Sequence, residues 1–286
     1  MLAAIATSLV STRAHASTLV DRTTSKVDLQ VDTAGEALLT YEARGAVRHV
    51  LVWGAVDAVD ASSGRPQVAF SLDYAGGWRK YHRQMWRTFK DACRPYDGPQ
   101  LAWAVAACTA PDGSYWAVQR WSRDLPDYGT ARWATPDLRV SHWTGPIAHL
   151  TVRLDWAYRR YHHLFGRFTY RGTGVFGDHS TSQGTPLDDF GRNLYIDTYD
   201  SRYGTGWRRE NAILTHRPTG AFCYGFYPHG SHPAGRGTHY RATIIGPGVT
   251  PDVTWEGTAP GRYVRRADRI ANRVIRALRD PLCRAN

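Results

Sequence analysis

Hydrophobic and polar residues alternate with a period of two along most of this chain, the mark of strands with one buried face. Val27, Leu29 and Val31 alternate with Asp28, Gln30 and Asp32 ahead of a turn at Gly35. Val68, Phe70, Leu72 and Tyr74 repeat the pattern, as do Leu101, Trp103 and Val105. Residues 115–121 follow the turn signal Pro111-Asp112-Gly113. In the second half Leu150, Val152, Leu154 and Trp156 oppose Thr151, Arg153 and Asp155, and Tyr240, Ala242 and Ile244 precede Gly246-Pro247-Gly248. Residues 213–216 and 221–227 flank Arg217-Pro218-Thr219-Gly220, which predicts a hairpin. The nearly continuous apolar run at 47–56, around Trp53, reads as a central strand.

Two segments carry a helical period instead. In 78–90, Trp78, Tyr81, Met85, Trp86 and Phe89 fall on one side of a helical wheel, with Arg79, Arg83 and Arg87 on the other. Around 262–280, Ile270, Val274, Ala277 and Leu278 form an apolar stripe among arginines, and Asp280-Pro281 supplies a stop. The expectation is a mainly β protein of antiparallel sheets, sandwich or barrel-like, with a short amphipathic helix near 78–90 and a C-terminal helix near 262–280. Gly145-Pro146 is the best boundary, dividing a β subdomain at 17–146 from one at 147–286, unless the two form one compact unit.

The start of the chain changes this picture. Residues 2–10 are apolar or small, and Ala14-His15-Ala16 follows, which reads as a secretory signal peptide over 1–16. No Lys or Arg precedes the apolar run, as a start codon placed too far downstream would explain. The run is too short to span a bilayer, which takes about 20 apolar residues, and no later segment is apolar for long enough. The expected product is secreted or held at the cell surface, without a transmembrane segment.

Cysteine usage agrees with export. Cys93, Cys108, Cys223 and Cys283 form no C-x-x-C pair, so they predict two disulfides rather than a zinc knuckle. Of three pairings, Cys93–Cys108 with Cys223–Cys283 closes each bridge within one half of the chain.

Net charge is +11, or +10 once Arg13 leaves with the signal. Arginine supplies nearly all of it, since lysine occurs only at 26, 80 and 90. Such a charge favours anionic partners through long-range attraction: wall polymers, anionic head groups or acidic glycans. Nucleic acid is not expected, because no binding motif is recognisable.

Candidate chemistry is sparse. In Asn193–Asp200, strand geometry points Leu194 and Ile196 inward and puts Asn193, Tyr195, Asp197 and Tyr199 on the other face. That face could line a sugar groove with Trp207, Tyr203 and Trp143, or offer Asp197 as an acid or base. Asp188, Asp189, Asp197 and Asp200 are oxygen ligands suited to Ca²⁺ if they converge. Arg208, Glu210 and His216 share parity, so an unbroken strand would pair Glu210 with His216 for acid–base work. His229, His232 and His239 have the composition of a zinc site, in a glycine-rich loop without a fixed metal motif. The bland alternative for each is a solvated face, a cross-strand pair or a polar loop, and no cofactor is required. No G-x-S-x-G elbow or phosphate loop occurs, which favours a binding protein over an enzyme.

Leu72-Asp-Tyr-Ala-Gly-Gly-Trp78, Cys108-Thr-Ala-Pro-Asp-Gly113, Phe165-Gly-Arg-Phe168, Asn193–Asp200 and Ile245-Gly-Pro-Gly-Val-Thr-Pro251 resemble segments of exported proteins of GC-rich bacteria that carry no assigned activity. The resemblance implies secretion and a shared fold, and no catalytic residues. The sequence therefore leads to a secreted β-protein that binds an anionic or glycan component of the cell envelope or surroundings. The rivals are an extracellular hydrolase using a carboxylate or a metal, and a structural, partner-binding surface protein.

Overall fold

The computed structural model describes residues 17–55, 70–122, 136–158, 160–177, 192–228, 233–245 and 251–283. The signal peptide expected over 1–16 lies outside them. The chain opens with β1 (Ser17–Arg22), β2 (Thr24–Val31), β3 (Ala37–Ala43), β4 (Ala46–Trp53) and β5 (Ser71–Asp73), then the single turn α1 (Trp78–Tyr81). It continues through β6 (Arg94–Pro95), β7 (Ala104–Thr109), β8 (Tyr115–Ser122) and β9 (Pro136–Trp143). The second half holds β10 (His149–Ala157), β11 (Tyr161–Tyr170), β12 (Thr173–Gly174), β13 (Leu194–Ser201) and β14 (Gly204–Ile213). It ends with β15 (Ala221–Gly225), β16 (His239–Ile244), β17 (Val253–Thr258) and α2 (Arg265–Ala277).

These strands form four antiparallel sheets, so the protein is mainly β as the alternation predicts. The first has the order β2-β3-β4-β5 and the second β1-β9-β8-β7-β6. The third joins β10, β11 and β12, with β15 also on β11, and the fourth runs β14-β13-β16-β17.

The second sheet is buried on both sides, which explains why β8 and β9 alternate poorly. One face, with Trp116, Val118, Leu138 and Val140, packs on Val31, Leu39, Val50 and Val52 of the first sheet. The other, with Ala117 and Trp143, packs on Leu164, Phe168, Leu194, Ile196, Phe222 and Tyr240 of the second half. The boundary near residues 145–146 thus separates two lengths of chain that share one core. A buried polar cross-link reinforces the join. Gln119 exchanges hydrogen bonds with the backbone of Asp252, whose carboxylate accepts from the Trp121 indole at 2.6 Å.

Both predicted disulfides are present, with Cα–Cα distances of 5.6 Å for Cys93–Cys108 and 5.5 Å for Cys223–Cys283. The C-terminal helix also forms, at 265–277, and docks Ala271, Ile275 and Leu278 against Ala157 and Phe165 of the third sheet. Among the described residues no helix is long and apolar enough to cross a membrane.

Two local expectations are corrected. The helix expected over 78–90 is a single turn, because His82 takes φ +54° and a 3₁₀ turn follows at 85–87. An isolated helix of that length is marginal in water, and here tertiary contacts win. Trp86 stacks on His49 at 4.3 Å, while Lys80 and Tyr81 both bond the buried Glu36 carboxylate. The hairpin expected around Arg217-Pro218 is reduced to one bridge, His216 with Ala221, because β15 pairs with β11 instead.

Candidate functional site

The β13–β14 hairpin carries most of the residues singled out above, and its two faces do different things. Tyr195 and Asp197 lie on the face away from Ile196 and are both buried; Tyr195 packs edge-on against Trp121 of the first half, and Trp103 covers the Arg241 that holds Asp197. The Asp197 carboxylate accepts from Arg209 Nε at 2.5 Å and from Arg241 Nη2 at 2.9 Å. Those guanidiniums lie over Tyr195 at 4.6 Å and Trp207 at 4.3 Å. The face expected to be exposed and aromatic is therefore a closed, charge-compensated layer. Asn193 is buried with Thr215, exchanging two 2.9 Å hydrogen bonds. Trp143, Tyr195 and Tyr203 are each buried too, so they form no open sugar platform; Tyr199 and Trp207 are half-buried and pack edge to face at 5.2 Å. Sequence periodicity missed this because β13 is covered on both faces, a property of neighbouring sheets and not of the strand.

Glu210 follows from a bulge. Ile196 pairs with Asn211 and Asp197 with Arg209, leaving Glu210 as the extra residue of β14. Such a bulge re-aims a side chain, and Glu210 lies with Tyr224 and Tyr240 on the face opposite Asp197. Alternation fixes that placement: Arg241 reaches Asp197, so its neighbour Tyr240 points the other way. The Glu210 side chain is wholly buried. Tyr224 donates to Oε1 at 3.0 Å, and Oε2 has no hydrogen-bond partner. Burial pushes the carboxyl up to about 7, with the Tyr224 bond pulling it down. A side chain at Gly235 would run into this carboxyl, so the 233–238 loop closes directly over it. Beside it Tyr240 meets His162 Nδ1 at 2.5 Å, and burial lowers that imidazole to about 4, holding it neutral.

Asp197 and Glu210 are consequently back to back through the sheet rather than in one cleft. Nor do Glu210 and His216 meet, because the bulge breaks the parity and β14 ends at Ile213. His216 instead contacts Asp280 across 2.9 Å. Of the three candidate zinc histidines, His229 and His232 lie outside the described residues, and His239 pairs its Nδ1 with Thr238 Oγ1. Asp188 and Asp189 also lie outside the described residues. Asp200 accepts from the Gly206 amide, and Asp197 is held by arginines.

The feature that sequence reasoning noted only as the background of an apolar stripe is the outer face of α2. Arg262, Arg265, Arg266, Arg269, Arg273, Arg276 and Arg279 are all exposed, and among the described residues none has an ion pair. The one acidic residue of the helix, Asp268, turns inward to Tyr263 and Asn272. Arg266, Arg269, Asn272, Arg273 and Arg276 line a hollow of about 600 Å³. The signal was available: seven arginines within 18 positions, mostly three or four apart, opposite the apolar stripe.

No family model, curated protein or solved structure matches this chain.

Proposed function

We propose that this is an exported β-protein that holds an anionic polymer of the cell envelope or its surroundings on the arginine face of α2. The supporting observation is a run of seven exposed guanidiniums, five on α2 and one flanking each end, with no ion pair among the described residues, on a helix anchored by its opposite face. Guanidinium is always charged and offers a planar fork to phosphate, sulfate or carboxylate, so clustered arginines suit bidentate recognition. The fixed helix presents them without further ordering. The two disulfides are compatible with an oxidising compartment, and removal of residues 1–16 would leave β1 whole.

The test is retention of the purified protein on heparin, a soluble polyanion, over a salt gradient. Binding that weakens with salt and is lost in an Arg266→Gln, Arg269→Gln, Arg273→Gln, Arg276→Gln variant supports the reading, because exposed charges are screened within about 10 Å at 0.1 M salt. Equal retention of the variant overturns it. Binding to phosphatidylglycerol vesicles without binding to heparin would make the ligand a membrane surface instead.

A second reading, a hydrolase using Glu210, is favoured by the carboxyl held near 7, the range a general acid needs. It requires the 233–238 loop to open. Glycan hydrolysis that disappears in Glu210→Gln while folding persists would support it.

A further inference from the structure

The C-terminal staple brings together more than two sulfurs. His216 Nδ1, Asp280 Oδ1 and Cys283 Sγ all lie within 4.8 Å of one another, and Asp280 and Cys283 are buried. Cys223, the disulfide partner of Cys283, brings a second sulfur to the group. Three residues therefore converge, offering one imidazole nitrogen, one carboxylate and one sulfur, and the second sulfur stands one S–S bond away from them. Nitrogen and thiolate sulfur, with a carboxylate oxygen, make up the usual tetrahedral environment of zinc.

The spacing fits that geometry. Around tetrahedral zinc, nitrogen and oxygen ligands at about 2.0 Å sit about 3.3 Å apart, and nitrogen and sulfur about 3.5 Å apart. Here His216 Nδ1 is 2.9 Å from Asp280 Oδ1 and 4.0 Å from Cys283 Sγ. The carboxylate is already oriented, since Oδ1 accepts from the Leu282 amide at 2.9 Å and Oδ2 from Thr219 Oγ1 at 3.1 Å. Outer hydrogen bonds of this kind hold a ligating carboxylate in place at metal sites. Helix α2 ends at Ala277, three residues before Asp280, and the His216–Ala221 bridge fixes the opposite wall.

We propose that the Cys223–Cys283 disulfide covers a latent zinc site, formed by His216, Asp280, Cys283 and Cys223 when the two sulfurs are reduced. A dithiol reductant gives up two electrons and becomes a disulfide, the protein S–S bond breaks, and two thiolates form. Zinc binds both thiolates, and the two protons of the reductant are released. The C-terminal end of α2 is then clasped by a metal in the reduced chain and by a disulfide in the oxidised one.

Cobalt(II) titration tests this on the full chain, reduced with a phosphine that is then removed. One cobalt per chain is expected, with a thiolate-to-metal charge-transfer band and the d–d bands of tetrahedral cobalt, displaced by zinc. The oxidised protein should show neither. A Cys93→Ser, Cys108→Ser variant should keep the site, which separates it from the other sulfur pair. His216→Ala and Asp280→Asn should each weaken affinity at least about tenfold. If one of them fails to fold, the other and the Cys223→Ser variant carry the same comparison. Absent stoichiometric uptake, an octahedral spectrum, or affinity unchanged in a folded ligand variant would overturn the proposal.

Discussion

Arg209 on β14 reaches across the hairpin to Asp197 on β13 at 2.5 Å, and Arg241 on β16 closes on the same carboxylate from the other side. One buried anion thus serves two cations between the two halves of the molecule. Removing one member of a buried ion pair costs about 3–5 kcal/mol. Here Arg241 keeps Glu256 at 3.6 Å and Arg209 keeps the Ser122 carbonyl, which puts the expected cost at the low end. Asp197→Asn should therefore lower stability by about 3 kcal/mol in denaturant unfolding. A loss below about 1 kcal/mol would show that water compensates the arginines.

Glu210 makes stability depend on pH. Its carboxyl sits near 7 in the folded protein against 4.5 in the unfolded chain. Between those values the unfolded chain has lost the proton that the folded one keeps, so stability falls as pH rises from about 4.5 to 7 and then levels. The difference corresponds to about 3 kcal/mol. Glu210→Gln keeps an acceptor for Tyr224 and removes the ionisation. The variant should match the wild type near pH 4 and exceed it at pH 8, which thermal melts across that range would measure.

The disulfides should differ in weight. By loop-closure entropy the 60-residue loop of Cys223–Cys283 is worth about 4 kcal/mol and the 15-residue loop of Cys93–Cys108 about 3 kcal/mol. Paired Cys→Ser variants, compared by chemical denaturation, are expected in that order. The reverse order would mean that chain entropy does not govern these bridges.

The shared core predicts a single cooperative transition for the whole described fold. A fragment 17–146 would expose the face that carries Ala117 and Trp143. It should lack a sharp melt and near-UV circular dichroism. A cooperatively melting fragment would restore the two-subdomain reading.

The Trp121–Asp252 hydrogen bond ties the same join together. Trp121→Phe leaves a buried carboxylate short of a donor, so a loss of about 1–3 kcal/mol is expected in equilibrium unfolding. An unchanged midpoint would show that the other contacts of that carboxylate, Arg139 Nε at 3.4 Å among them, compensate for the lost donor.

The sequence by itself determined the β class, the strands with one covered face and the C-terminal helix, and cysteine spacing favoured, of three pairings, the one that forms. Each rests on local periodicity or on spacing along the chain. The same kind of signal overran at 78–90, where a helix starts but Trp86 on His49 and Lys80 on Glu36 accompany its end after one turn. Only the tertiary structure decided the sites. Parity along β13 separates two faces but says nothing about what covers them, and Trp103 and Trp121 arrive from about 75 residues or more away to bury one. A single bulge turned Glu210 away from Asp197, and a bulge leaves no periodic trace. His216 met Asp280 and Cys283 because the helix stop and the β15 pairing place them together, at separations of 64 and 67 residues that no local pattern encodes. The arginine face of α2 is the exception: its charge was in the sequence, and the fold decided that it stands open.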